Sequence, residues 1–155
     1  MARVALTNEQ VARILEAQKA LRENLRWNPK GGDRWVASKL VVENQMKMTL
    51  HIHANANLVD RSKYSFSLIL SSSYRIASFD AGSSHVNRHT DSNRWLGQPH
   101  KHRWTELCRD SFAYTPTDID QTTLESAFRS FCIEIGVDFQ GNVEALPPTQ
   151  EAIQF

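Results

Sequence analysis

A chain of 155 residues, 41% of them hydrophobic and 23% charged, is sized for one folded domain and is too apolar for wholesale disorder. No apolar run reaches the length of a membrane span, and the opening Met1-Ala2-Arg3-Val4-Ala5-Leu6 gives way to polar Thr7 to Gln10 too early for a secretory leader. A cytoplasmic protein with no membrane partner is therefore expected, and its two cysteines, Cys108 and Cys132, have neither CxxC spacing nor disulfide-framework density.

Thr7 to Arg26 reads as an amphipathic helix. Thr7 and Gln10 make a capping box, and Val11, Ile14, Leu15, Gln18, Leu21 and Leu25 recur at helical spacing. Asn28 to Asp33, with Pro29 and two glycines, reads as the turn that ends it. Strands follow at Arg34 to Glu43 and Gln45 to Asn55. In the second of these Met46, Met48, Leu50, Ile52 and Ala54 face one side, and His51 and His53 face the other. Tyr64, Phe66, Leu68 and Leu70 give a third strand its apolar face, and Tyr74 to Asp80 is a fourth. Ala81 to Pro99 reads as one long, exposed loop. Pro99 leads into a fifth strand at His100 to Leu107, and a second helix is expected at Asp120 to Ile135. Its buried stripe is Leu124, Phe128, Phe131, Cys132 and Ile135, and Gly136 is its C-cap.

These elements predict an α+β domain over residues 1–140: an antiparallel sheet of about five strands with an N-terminal and a C-terminal helix packed on one face. Residues 141–155 read as an irregular tail. The charge is unevenly distributed. Residues 1–104 carry sixteen Lys/Arg against eight Asp/Glu, and residues 105–155 carry two against nine, so the first part suits a polyanionic partner.

The segment from His85 to Trp104 concentrates the chemistry. The six histidines fall in short groups: His51-Ile52-His53, His85 and His89, and His100-Lys101-His102. Strand parity puts both members of each HxH on one face, roughly 7 Å apart. It also places Trp104 and Glu106 beside His100 and His102, and Lys101 and Arg103 on the other side. Two chemistries suit this set. Metal-free RNA cleavage needs a base, an acid and a cation on the phosphate. His100, His102 and His85 are the acid–base candidates, Arg88, Arg94 and Arg103 the phosphate holders, and Trp95, Trp104 and Tyr74 the planes for stacking bases. Alternatively, His100, His102 and Glu106 offer imidazole and carboxylate to a metal. HxHxxxE is half of a cupin motif, but Arg94 and Ala113 stand where that motif has glycine, and no second half follows.

Phe79-Asp80, then His85 and Asn87, then Gly97-Gln98-Pro99-His100-Lys101-His102 with Trp104 after it, resembles the small bacterial toxins of the TumE ribonuclease type and their bacterial and phage relatives. The likeness covers about thirty residues of the middle of the chain. It implies a compact sheet-and-helix domain acting on RNA without a cofactor, with an antitoxin as a partner. Residues Arg88 to Leu96 are inserted relative to that pattern. Three readings follow: a metal-independent, toxin-like endoribonuclease; a non-catalytic phage or mobile-element inhibitor that binds a nucleic-acid-processing or defence complex; and a metal-binding enzyme using the HxH pairs. No P-loop, GxGxxG, GxSxG or HExxH is present.

Overall fold

The computed structural model describes residues 6–82, 85–86, 94–95, 98–116 and 118–148. Among the described residues there are two helices and eleven strands: α1 (Asn8–Glu16), β1 (Lys19–Leu21), β2 (Asn28–Gly31), β3 (Arg34–Val41), β4 (Leu50–Asn57), β5 (Tyr64–Leu70), β6 (Tyr74–Asp80), β7 (His85–Val86), β8 (Arg94–Trp95), β9 (His100–Arg103), β10 (Ala113–Tyr114), α2 (Leu124–Glu134) and β11 (Val137–Phe139). The architecture is α+β. Its main sheet has seven antiparallel strands in the order β10-β9-β6-β5-β4-β3-β2 rather than about five. The two additional strands are its edges. β2 contains Pro29 and ends at Gly31, the first of the two glycines that read as a turn, and β10 is two residues long.

The apolar alternation of the central strands builds the core. Leu50, Ile52, Ala54 and Ala56 of β4 are buried beside Tyr64, Phe66 and Leu68 of β5. α2 lies on this face. The Phe66 ring meets Phe128 edge-on at 5.1 Å and Phe131 at 5.9 Å. Burial of Cys132 on the same helix pushes its thiol up to about 12, as suits a packed sulfur rather than a reactive one. Val11 and Ile14 of α1 join the same core cluster.

The first helix is much shorter than its pattern suggests. The capping box at Thr7 and Gln10 forms, but α1 ends at Glu16 and Ala17 is already extended. Leu21 and Leu25 are buried as expected, yet from extended chain: Lys19 to Leu21 pair in parallel with Val137 to Phe139, and Leu25 bridges Val143. Lys19 seals the end of the helix. Its ammonium donates to the carbonyls of Ile14, Leu15 and Ala17 at 2.5, 3.2 and 2.6 Å, satisfying acceptors that a helix C-terminus leaves open. Desolvation lowers the Lys19 pKa to about 8, against the opposing charge of Glu43. Gly136 passes beside this cap with φ +73°, where an added Cβ would lie 2.7 Å from the Leu15 carbonyl oxygen. The segment expected to be an irregular tail also packs. Residues 142–144 run beside Leu25, and the Trp27 indole donates to Glu144 O.

The expected single loop from Ala81 to Pro99 contains two paired strands, with His85 opposite Trp95 and Val86 opposite Arg94. Two-residue strands are too short for an alternation to be visible in sequence. The expectation that the whole segment is exposed and mobile extends to residues outside those described.

Glu43 carries a pH dependence. It accepts the backbone N–H groups of Gln45, Met46 and Met48. The Met46 bond, opposed by burial and assisted by the Met48 and Gln45 bonds and by Lys19, holds its carboxyl below the ordinary 4.5. A lowered carboxyl stabilises the fold above its unfolded value and loses that contribution as pH falls through its folded value. Glu43→Gln should therefore lower urea stability at neutral pH, and the gap to the wild type should narrow as pH drops below about 4.5. A gap independent of pH would show that the carboxylate charge is not what the loop uses.

Candidate functional site

Cross-strand partners share a face of a sheet, so register alone assembles the site. One row across β3, β4, β5, β6 and β9 reads Ser38, His53, Ser67, Ser78, His102. The next reads Val36, Asn55, Ser65, Asp80, His100. A third runs Leu40, His51, Ile69, Arg75. The histidines of β4 and β9 thus occupy one polar face, opposite the aromatic core. Serines lie between the two pairs.

His100 and His102 are brought together. Their rings meet at 5.0 Å with 67° between planes, and the residues are only 1% and 6% exposed. Each Nδ1 sits on a backbone carbonyl: His100 on Gln98 O at 2.9 Å and His102 on Asp110 O at 3.0 Å. A carbonyl oxygen only accepts, so both Nδ1 atoms carry hydrogen and the lone pair of each neutral ring is on Nε2. The two rings are thereby fixed in tautomer and orientation. Burial, followed by the charges of His51 and Arg34, holds His53 below the ordinary imidazole range.

A β-bulge supplies a cation that the sequence pattern hides. Between Leu68 and Ile69 the β5–β6 register shifts, so Ala77 opposes Leu68 but Arg75 opposes Ile69. Simple alternation would leave Arg75 on the face of Ala77 and Phe79. The bulge moves it to the histidine face. There its Nη2 donates to Asp110 O at 3.2 Å, the same oxygen that takes the His102 Nδ1–H, and its Nε lies 3.4 Å from the Asp110 carboxylate.

Other sequence candidates are placed elsewhere. β9 ends at Arg103, so strand parity does not carry to Trp104. Its indole donates to Leu6 O at 3.3 Å and its ring meets Tyr74 edge-on at 5.5 Å, on the core side. Neither Trp104 nor Tyr74 stands beside the histidine pair as a stacking plane. Glu106 is likewise not with the histidines: it accepts the Asn8 backbone N–H at 3.0 Å, and its own N–H donates to Asn8 Oδ1 at 2.8 Å, clamping the 105–109 turn to the start of α1. Among the described residues, no three His, Cys, Asp or Glu side chains come together as a metal-ligand set. Arg103 faces away from the histidines, as parity requires, and helps line a cavity of about 220 Å3 with Tyr114 and Glu134. Arg94 is exposed on β8. The backbones of His85 and Trp95 pair as described, whereas Arg88 and His89 lie outside the described residues.

Lys101 faces the core side, opposite Phe79 in register. Its side chain is 4% exposed, and its ammonium pairs with Glu134 at 2.5 Å and Asp118 at 2.7 Å. The Tyr114 hydroxyl donates to the same Glu134 oxygen at 3.3 Å. Burial, followed by the Glu134 charge, pushes this phenol well above its ordinary value, so it remains a donor.

A family model, described as a family of unknown function, DUF6978, matches residues 6–137, and the chain belongs to that family. No curated protein and no solved structure matches the chain.

The buried pair behind β9 can be tested directly. Lys101→Met strands the Glu134 carboxylate without its cation and should cost about 3–5 kcal/mol in urea denaturation. Adding Glu134→Gln should restore part of that loss. An unchanged denaturation midpoint in the single variant would show that the pair does not anchor the strand.

Proposed function

We propose, for this DUF6978 chain, a metal-independent endoribonuclease activity centred on His100 and His102. The observation that carries the reading is the contact between the two rings, each with its Nδ1–H fixed on a carbonyl. Cleavage requires one ring neutral and the other charged. The neutral Nε2 takes the 2′-hydroxyl proton, and O2′ attacks phosphorus. The charged ring then gives its proton to the departing 5′-oxygen, leaving a 2′,3′-cyclic phosphate and a 5′-hydroxyl. Arg75, linked to His102 through the Asp110 carbonyl, is the guanidinium on the correct face to steady the phosphorane. The likeness of the Phe79 to Trp104 segment to TumE-type toxins supports the same reading and makes an antitoxin a natural partner.

The burial of both rings favours a second reading: a non-catalytic inhibitor that binds a nucleic-acid-processing or defence complex, with the histidines as its internal braces. Turnover separates the two. Purified protein incubated with end-labelled single-stranded RNA in EDTA should yield cyclic-phosphate ends. His100→Gln and His102→Gln should each lose about 100-fold or more in rate while retaining the wild-type circular dichroism spectrum. Arg75→Gln should cost more than Arg103→Gln, because of these two arginines it is Arg75 that shares the histidine face. Absence of cleavage across varied RNAs, or full activity in both histidine variants, rejects the ribonuclease.

A further inference from the structure

At one end of the polar face, a cavity of about 300 Å3 reaches from Arg34 to Asp80. Asp80, which lines the cavity, is the cross-strand neighbour of His100. Its floor is a polar relay across three strands. Arg34 donates Nε and Nη2 to Asn55 Oδ1 at 3.1 and 2.8 Å, and Asn55 Nδ2 approaches Ser65 Oγ at 3.4 Å. Ser65 lies opposite Asp80 in register.

The cavity is electrically divided. Arg34 and Lys63 stand at the end away from the histidines, and the Asp80 carboxylate at the near end. Two of the five guanidinium N–H groups are committed to Asn55, which fixes the fork and leaves its other donors for a ligand. Asp80 Oδ1 accepts the Gly82 N–H at 3.0 Å, so the carboxylate is oriented before any ligand arrives. A ligand that fits must present hydroxyl or N–H donors at one end and an anion at the other. A ribonucleotide unit does so: a carboxylate accepts sugar hydroxyls, and arginine with lysine suits a phosphate.

The geometry points to this cavity as the subsite for the ribonucleotide adjoining the scissile bond, with its sugar hydroxyl on Asp80 and its phosphate between Arg34 and Lys63. The assignment rests on the RNA-directed reading of the histidine face and adds two things to it: selection for ribose and a second phosphate contact. From Asp80 on β6 to Arg34 on β3 the face crosses three inter-strand spacings, roughly 14 Å.

The test uses ligands that cannot be cleaved. The full chain, labelled with 15N, is titrated with the four ribonucleoside 3′-monophosphates, their 2′-deoxy counterparts and inorganic phosphate. Ribonucleotides should shift the backbone amides of Asn55, Ser65, Asp80 and Gly82. The deoxy forms should bind about tenfold or more weakly, the scale of losing a hydrogen bond to a charged group. Arg34→Gln with Lys63→Gln, both surface changes, should weaken ribonucleotide binding about tenfold or more. Equal affinity for ribo and deoxy forms, shifts confined to other surfaces, or an undiminished affinity in the double variant each overturns the subsite. RNA cleavage without ribonucleotide shifts at this cavity removes the subsite and leaves the ribonuclease intact. The expected shifts without any cleavage keep the nucleotide site and reject the ribonuclease.

Discussion

Lys101 places an ammonium on the side of the sheet that is otherwise committed to aromatic packing, and there it meets Glu134, Asp118 and the Tyr114 hydroxyl. A buried charge is tolerated only with its partners in place, so this cluster constrains the position of β9 more strongly than the ladder bonds of a four-residue strand would. Because side chains alternate across a strand, fixing Lys101 behind the sheet fixes His100 and His102 in front of it. α2, β9 and β10 meet at this cluster. The buried His100 and His102 pair is therefore braced from the helical layer.

The front of the sheet has a different logic. Its middle rows are small and hydrogen-bonding residues in register, and the Nδ1 atoms of His100 and His102 sit on main-chain carbonyls. A carbonyl fixes the tautomer of an imidazole without adding a negative charge beside it, unlike the Asp–His pairing of hydrolase triads. The serines between the two histidine pairs keep the middle of the face low. Among the described residues the buried Ser78 hydroxyl has no hydrogen-bond partner, which is uncommon in a packed domain.

Much of this was legible in the sequence, and the failures share a physical cause. β5 and β6 match the expected segments closely, and the alternation of β4 correctly sorted Leu50, Ile52 and Ala54 from His51 and His53, because strand periodicity is a local property. The shared face of His100 and His102, and the opposite facing of Lys101 and Arg103, follow from the same rule. What sequence could not supply was set by tertiary partners. Leu21 and Leu25 keep helical spacing, yet they belong to extended chain held by Val137 to Phe139 and Val143. Trp104 and Glu106 were carried along a strand that stops at Arg103. Arg75 was overlooked because a bulge inverts its facing, and nothing in the local pattern of Tyr74 to Ala77 announces an extra residue.

The borders of the main sheet have a consequence for how the protein coexists with copies of itself. A sheet of seven strands leaves two rims of unpaired backbone groups, and long flat rims invite association between molecules. One rim here is β2, fully exposed, where Pro29 lacks an N–H to offer and the register slips between Pro29 and Gly31. The other is β10, only two residues long. Neither gives an incoming strand a continuous ladder to extend. The rims around the polar face thus resist fibril-like stacking, and crowding of the protein should not by itself drive strand-to-strand polymerisation.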